Sequence, residues 1–586
     1  MPIKTSENYV KTCITSEWNP LKALACVLIA VPFAIFLYLI FYTYSPVNSS
    51  DAAAIFVRMD LVERGLMSSF QAVAMKHIEH FHSLIFLMGL LDWKYSDGTL
   101  MIPRGLGALS MMGILAILFH SMRRSKIQDP ISYSAVTALL LSAIGWGIWA
   151  SSFQAVVSTF WFVYVAAIYL ACKSSQYKYI DTCRFSACMA FAAISLFAHG
   201  SGVMAIVFVS AAFVMNRAYK KAAISFLLLT VLFIIGTKVN SHYMPDAPAM
   251  SGVTPELILR AVFSDTIRLF TTVLWFIGST FSKDETIALW AGALGLAWSL
   301  AAIGFSIKRF GLERQNNFII LLITSGLLSA ALGAGMRFVI NVYVNNGPLW
   351  VLQYVESRYY LASCVIWVGS LILTSRLVGN KILPASVVLC VASLYVSIFK
   401  GVPGAIVYAA NSDMAESSFS SGYRSPELLK WYFPDVNGAN RILDILEKYQ
   451  KGPFSQSYPL APVRHDLDIS ERTPVEVFHN GQMVQACRLS GPMKNHSSAV
   501  AIEDESGRVL ALGKYYKSNS NITPKTLDED GYVKASPDLA ALAKLDHSAA
   551  WTHYIAFGRK EMLRYVPSKK PGWIAFAPDC NVRATQ

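Results

Sequence analysis

The run KHIEHFHS, Lys76 to Ser83, packs one carboxylate, three imidazoles and an ammonium into eight residues between apolar stretches. On a helix, His77 and His80 would share one face, and Glu79 and His82 another. Three chemistries fit. The run can be a wet interfacial loop. It can be a metal nest, since His and Glu are proper zinc ligands, although the spacing matches no zinc site and Cys is absent. It can also be a carboxylate base flanked by cations facing a phosphate. In that reading Glu79, or Asp60 upstream, takes the proton from an acceptor hydroxyl. Lys76, His80 and His82 stabilise the charge that grows on a leaving phosphate. No resident metal or other cofactor is assigned; a divalent ion is the alternative that the histidines keep open.

Further candidates lie downstream. Arg337 and the run YVESRYY, Tyr354 to Tyr360, offer two guanidinium forks, Arg337 and Arg358, beside Tyr359. Arginine suits a phosphate through paired N–H donors, but Tyr and Arg also make ordinary interfacial belts. In GWGIWASSFQ, Gly145 to Gln154, Trp146 and Trp149 could stack on sugar or lipid or serve as an aromatic girdle. The turn His199-Gly200-Ser201-Gly202 brings one more imidazole.

The elements that must position these groups are membrane helices. The 586 residues are 54% hydrophobic and 15% charged, against about 25% charged in soluble domains. Apolar runs at Ala23–Tyr42, Leu100–Phe119, Ser132–Trp149, Ala155–Cys172, Phe185–Phe197, Val203–Met215, Ala222–Val239, Ile287–Ile307, Phe318–Met336, Tyr359–Leu373 and Leu383–Phe399 give about eleven crossings. The fold class is therefore an α-helical polytopic membrane protein. The net charge of +13 is no sign of a nucleic-acid partner, because the basic residues sit in short clusters between apolar runs. No GxxxxGK[ST] and no paired CxxC occurs, so a P-loop ATPase or a zinc ribbon has no support.

Lys4, Lys11, Lys22, Arg123, Arg124, Lys126, Lys173, Lys178, Arg184, Arg217, Lys220, Lys221, Lys308, Arg309, Arg314, Arg376 and Lys381 all fall on one side of that topology. The positive-inside rule makes that side cytoplasmic, with residues 1–22 as the cytoplasmic N-terminus. A membrane domain over 23–400 follows, with outer loops 43–99, 240–286 and 337–358. The first outer loop reads as two amphipathic helices flat on the leaflet, and Leu257–Phe281 as one interfacial helix.

An odd number of crossings puts residues 401–586 outside, as a soluble domain. Ser425–Tyr449 reads as helix with a break at Pro434. Val475–Phe478, Met483–Leu489, Ala499–Glu503, Val509–Leu512 and Trp573–Phe576 read as strands, giving an α+β domain and a β-sandwich. Seven cysteines lie in or near spans, where buried apolar thiols are expected. Cys487 and Cys580, in the tail, are either a disulfide or two buried thiols.

Taken in order, these motifs resemble bacterial polytopic glycosyltransferases of the GT-C class. KHIEHFHSLIFLMGLLDW is similar to that group's first outer loop, an H-N-E-H-R-like motif followed by an apolar helix ending in Asp-aromatic. GWGIWASSFQ is similar to its tryptophan-rich stretch, SLFAHGSGV to its F-A-N-G-like turn, and MRFVINVY with ESRYYLAS to its later R…SRY element. The likeness runs from about Ala23 to Leu373 and omits the tail. This chain has Ile78 in place of Asn, Phe81 in place of Arg and His199 in place of Asn. Either His82 takes over the missing cationic role or the donor phosphate is held differently.

The resemblance implies a hexosyltransferase of the bacterial inner membrane, acting on the periplasmic face. Its partners would be a polyprenyl-phosphate-linked sugar, a cell-envelope glycan such as lipopolysaccharide O-antigen, and the lipid bilayer. Glu79 or Asp60 would be the base. Lys76, His80, His82, Arg337 and Arg358 would hold the donor phosphate, and Trp146, Trp149, His199 and Tyr359 would meet substrate. A lipid-linked-sugar flippase is the rival, and it calls for charges along a path through the membrane; the spans carry few. A glycan polymerase or ligase would look similar, with Arg337 and Arg358 more central.

Overall fold

The computed structural model describes residues 20–47, 52–75, 81–127, 129–173, 178–243, 253–282, 284–344, 359–420, 424, 429, 432–433, 435–455, 473–479, 482–489, 498–503 and 509–515. Nine helices among the described residues are long and apolar enough to cross a membrane. The chain is a multi-pass membrane protein. Two of the expected crossings, Tyr359–Leu373 and Leu383–Phe399, form one apolar stretch, Tyr360–Ile406. Its helices Tyr360–Val378 and Leu383–Val396 are joined by the 3-10 turn Gly379–Ile382. Gly379 has φ +60°, which a side chain would resist. The expected Val203–Met215 crossing is a shorter apolar helix, Gly200–Met215.

Contacts divide the chain into two compact units, Met1–Ile40, Val73–Ile85 and Arg104–Pro403 in one, Phe41–Ala72, Phe86–Pro103 and Gly404–Gln586 in the other. In the first unit, span ends that carry basic residues meet one another. Lys173 Nζ lies 3.3 Å from His120 Nε2, and Lys221 pairs with Asp181 at 2.5 Å. Asn216 Nδ2 donates to the Ala171 carbonyl, and Asn317 Nδ2 to Asn216 Oδ1. Arg376 bonds Glu313 at 2.6 Å and also Asn316.

Hydroxyls cross-link the spans of this unit along their length. Ser299 Oγ meets Ser370 Oγ at 2.9 Å, and Ser132 Oγ lies 3.1 Å from Ser386 Oγ and 3.3 Å from Ser375 Oγ. Ser393 donates to the Ala138 carbonyl at 2.6 Å. In lipid, such bonds and close backbone packing replace the hydrophobic drive that assembles soluble helices. Cys172, Cys188, Cys364 and Cys390 are buried as the sequence implies, whereas Cys26 and Cys183 are exposed.

Two expectations about the outer segments need correction. The interfacial helix over 257–281 is two helices, Pro255–Ser264 and Thr266–Gly278, with Asp265 at the break. The second packs tightly on Glu285–Phe310: a Cβ on Gly278 would lie 1.8 Å from the Ala288 carbonyl oxygen, and one on Gly292 1.8 Å from that of Leu274. Only glycine permits so close an approach. The two flat amphipathic helices expected before residue 90 are the helices Ala53–Glu63, Ser69–Ala74 and Ser83–Tyr95. Ala53–Glu63 and Ser83–Tyr95 have no one-sided apolar face. On Ala53–Glu63 the buried residues include Ile55, Phe56, Arg58, Met59 and Asp60, so protein encloses it where a lipid-resting helix would keep a polar side in water.

In the second unit, helix Val402–Ser420 is followed by Val436–Lys448. Asp435 caps the latter, accepting from the Asn437 and Gly438 amides. Four of the five expected strands form one antiparallel meander, β1 (Thr473–His479), β2 (Gln482–Leu489), β3 (Ser498–Glu503) and β4 (Val509–Tyr515), in sequence order. Pro474 sits on β1, an edge strand of the sheet that the described residues form, where proline is tolerated. The described residues hold this one sheet, whereas a sandwich needs two; Trp573–Phe576 lies outside them.

Candidate active site

The first unit brings two of the sequence motifs together. His82, from the opening run, and His199, from the turn, meet edge to face with ring centroids 5.6 Å apart. His82 also lies 5.7 Å from the Phe153 ring, and His199 5.3 Å from Phe160. The neighbouring Phe81 packs on Phe197 at 5.4 Å. Phe81, which stands where the resembled group has Arg, is thus an apolar anchor for this corner.

His199 is fixed by its own backbone. Extended at φ −154°, it begins the 3-10 turn Gly200–Val203, and its Nδ1 accepts the Ser201 amide at 3.2 Å. The neutral ring then carries its proton on Nε2, which makes Nε2–H a donor. His82 is 9% exposed, while His199 is half-buried.

Arg337 and Tyr359 form a second polar pair in this unit. Arg337 Nε donates to Tyr359 Oη at 2.9 Å, and the Tyr359 ring leans on Phe276 at 5.0 Å. Arg337 stands in the last turn of helix Arg314–Val339, and Tyr359 caps Tyr360–Val378. The bond fixes the orientation of the guanidinium plane.

The two tryptophans differ. Trp146, half-buried, opens the short helix Trp146–Ala150. Trp149 is fully enclosed and edge-on to Phe36 at 4.9 Å. A ring with no exposed face cannot stack on a sugar, so Trp149 is a packing residue, contrary to the sequence reading.

Asp60 belongs to the second unit, where its carboxylate is already engaged. Oδ1 accepts from Tyr449 Oη at 3.2 Å and lies 3.6 Å from Lys448 Nζ; Oδ2 lies 3.5 Å from Arg64 Nη1. Glu63, one helical step on, accepts from Trp93 Nε1 at 2.9 Å, and Trp93 packs edge-on to Tyr449 at 5.6 Å. Lys451 pairs with Asp97 at 2.7 Å. The helix Val436–Lys448 and the residues after it are therefore tied to Ala53–Glu63 and Trp93 by a polar and aromatic cluster. Sequence reading missed Lys448, Tyr449 and Lys451, since nothing near them in the chain marks a partner.

Asp92, of the Asp-aromatic pair, is fully buried. Its oxygens accept from the amides of Leu100 at 2.7 Å and Ile102 at 2.9 Å, so it caps the start of helix Met101–Arg124. Burial outweighs those bonds and pushes its carboxyl up to about 6.

Lys76, Glu79, His80, Arg358 and Cys580 lie outside the described residues, and of Cys487 only the strand backbone is described. Among the described residues, no three His, Cys, Asp or Glu side chains gather in a way that could hold a metal ion.

Comparison with known proteins finds no matching family model and no matching curated protein. Among solved structures, the chain is similar to ArnT from Cupriavidus metallidurans in the apo state, at 14% identity and TM-score 0.29, over 62% of this chain and 80% of that one. It is similar also to the same protein bound to undecaprenyl phosphate, at 12% identity and TM-score 0.31, over 73% and 88%. Overlaps this small carry no weight for the chemistry of the site.

Proposed function

We propose that this protein is an integral membrane glycosyltransferase that moves a sugar from a polyprenyl-phosphate donor to a hydroxyl of a cell-envelope glycan, such as O-antigen, at the outer face of the inner membrane. The observation that carries this reading is the contact of His82 with His199. It joins two motifs, far apart in the chain, that the family resemblance singles out.

Glu79 is the base of the proposed reaction. It takes the proton of the acceptor hydroxyl while that oxygen attacks the anomeric carbon, opposite the leaving group. The bond from the anomeric carbon to the phosphate oxygen breaks, and polyprenyl monophosphate departs with the electron pair. Lys76, His80, His82, Arg337 and Arg358 hold the phosphate and stabilise its added charge. Trp146, His199 and Tyr359 face substrate. Asp60 is a tether for the tail helix, because both of its oxygens are shared with Lys448, Tyr449 and Arg64.

The test is transfer of labelled hexose from polyprenyl phosphate in membrane vesicles. Glu79→Gln should lower the rate by at least about a hundredfold at unchanged protein level, while Asp60→Asn should lower stability and spare the chemical step. Wild-type transfer by Glu79→Gln would remove Glu79 from the mechanism.

A further inference from the structure

Arg58, on helix Ala53–Glu63, is 8% exposed and reaches two other helices. Its Nη1 donates to the Ala72 carbonyl at 2.7 Å, on helix Ser69–Ala74. Its guanidinium lies 3.5 Å over the ring of Phe86, on helix Ser83–Tyr95. Phe86 is fully buried. A Cβ on Gly89, one turn on, would lie 2.4 Å from Ile55 Cγ2, so the two longer helices touch closely around this pair. Burial pulls the guanidinium down to about 10, which leaves it charged at neutral pH. Thirteen residues, Val73 to Ile85, separate Ala72 from Phe86 in the chain, and one planar cation is fastened to both flanks. Closing such a stretch costs conformational entropy, which the buried bond and the stacked ring offset. His82 lies inside it, one helical turn before Phe86, and its carbonyl accepts the Ile85 amide at 3.1 Å. The His82 ring is therefore coupled to Phe86 through the first turn of the helix, and it is this ring that meets His199.

We propose that Arg58 is a positioning residue for His82. By holding the Ala72 carbonyl and the Phe86 ring at once, it fixes where helix Ser83–Tyr95 begins, and with it the imidazole that holds the donor phosphate in the proposed reaction. Its consequence for transfer rests on the transferase reading; its mechanism rests on the Arg58 contacts alone. Arginine suits this task for a physical reason. A lysine would keep the charge but offer no flat face to Phe86 and no rigid fork to Ala72. A displacement of about 1 Å at a reacting centre costs up to about a hundredfold in rate. A side chain one helical turn away can therefore govern transfer without entering the site.

The test is a double-mutant cycle on the full-length protein, with labelled-hexose transfer read in membrane vesicles and amide hydrogen exchange read on the purified variants. Arg58→Met fills the space without leaving a buried charge. It should lower kcat about ten- to a hundredfold. The donor KM should stay within about threefold, because the bond to phosphate strengthens as the leaving charge grows. In a His82→Ala background the same substitution should cost less than about twofold, since its route to the reaction is already gone. Exchange of the Leu84 to Met88 amides should rise at least about tenfold in Arg58→Met, the worth of one hydrogen bond to a charged group. Lys94→Gln, exposed on the same helix, should change neither readout. Full additivity of the two substitutions would overturn the proposal, since a residue that only stabilises the fold lowers transfer equally in both backgrounds. So would parental exchange at the start of the helix. If Arg58→Met does not fold, Phe86→Leu, which removes the ring and keeps an apolar side chain, takes its place in both measurements with the same expected results. Should the parent itself transfer no hexose, the transferase reading fails, and the exchange result alone decides whether Arg58 sets the helix start.

Discussion

Replacing His199 separates what its ring does for the fold from what it does for the reaction. Its Nδ1 accepts the Ser201 amide, and its ring touches Phe160 at 5.3 Å and His82 at 5.6 Å. In His199→Ala the cap is lost, at about 1 kcal/mol, and so are two ring contacts, at about 0.5–1.5 kcal/mol each. The total is about 2–4 kcal/mol, which lowers Tm by roughly 4–8 °C at ~2 °C per kcal/mol for a large chain. Asparagine, the residue of the resembled family at this position, restores the cap but not the ring contacts. His199→Asn should therefore recover about 1 kcal/mol of the loss. The assay is thermal unfolding in detergent, with hexose transfer measured on the same preparations. Transfer by His199→Asn should stay within about tenfold of the parent, since a side-chain N–H donor remains, and transfer by His199→Ala should fall further. Identical Tm for the two variants would refute the capping argument, and a parental Tm for His199→Ala would refute the packing argument as well.

Asp92 gives a pH signature. The native state keeps its proton up to about pH 6, while the unfolded chain releases it near pH ~4. The native state thus binds more protons between those values, and stability should fall as pH rises through that window, by on the order of 3 kcal/mol, then level off. Asp92→Asn should remove that slope from Tm measured between pH 4 and 7; a slope identical to the parent's would contradict it. Gly292→Val should cost about 1–3 kcal/mol or more, since its Cβ would meet the Leu274 carbonyl oxygen. Gly304→Ala, with nothing within 4 Å of the new Cβ, should be neutral in the same unfolding assay. Arg358→Lys should raise the donor KM, because a paired-donor fork becomes a point charge; an unchanged donor KM would exclude phosphate contact by Arg358.

The spans were legible because a run of about twenty apolar residues has few other uses. Their basic connections were legible because Arg124, Lys173, Arg217 and Arg376 sit at or just beyond span ends. The four strands could be read because each is short and bounded by turn residues. Three features were not legible, each for a physical reason. The break at Asp265 falls inside an apolar run whose hydropathy hardly changes. Trp149 reads as an interfacial aromatic, and only the nearness of Phe36 encloses it. Asp60 owes its partners Lys448 and Tyr449 to a contact 389 residues long in sequence, beyond any local periodicity. As for the candidate site, its motifs could be found in the chain, but which of them touch could not.

The serine pairs between spans bear on how such a chain is built. Ser299 and Ser370 each also lie within reach of the carbonyl four residues earlier, Gly295 and Ile366, so while one gives its single proton to that carbonyl the other can give its proton across the pair. A hydroxyl satisfied by its own backbone can enter the bilayer alone, at little desolvation cost. Once both segments are in place, one hydroxyl turns its proton from its own carbonyl to the lone pair of its counterpart, which keeps its own backbone bond. Insertion and docking are thereby separable events: each segment is admitted for its greasiness and aligned afterwards by a weak polar latch, worth about 0.6 kcal/mol apiece, that is selective only in number.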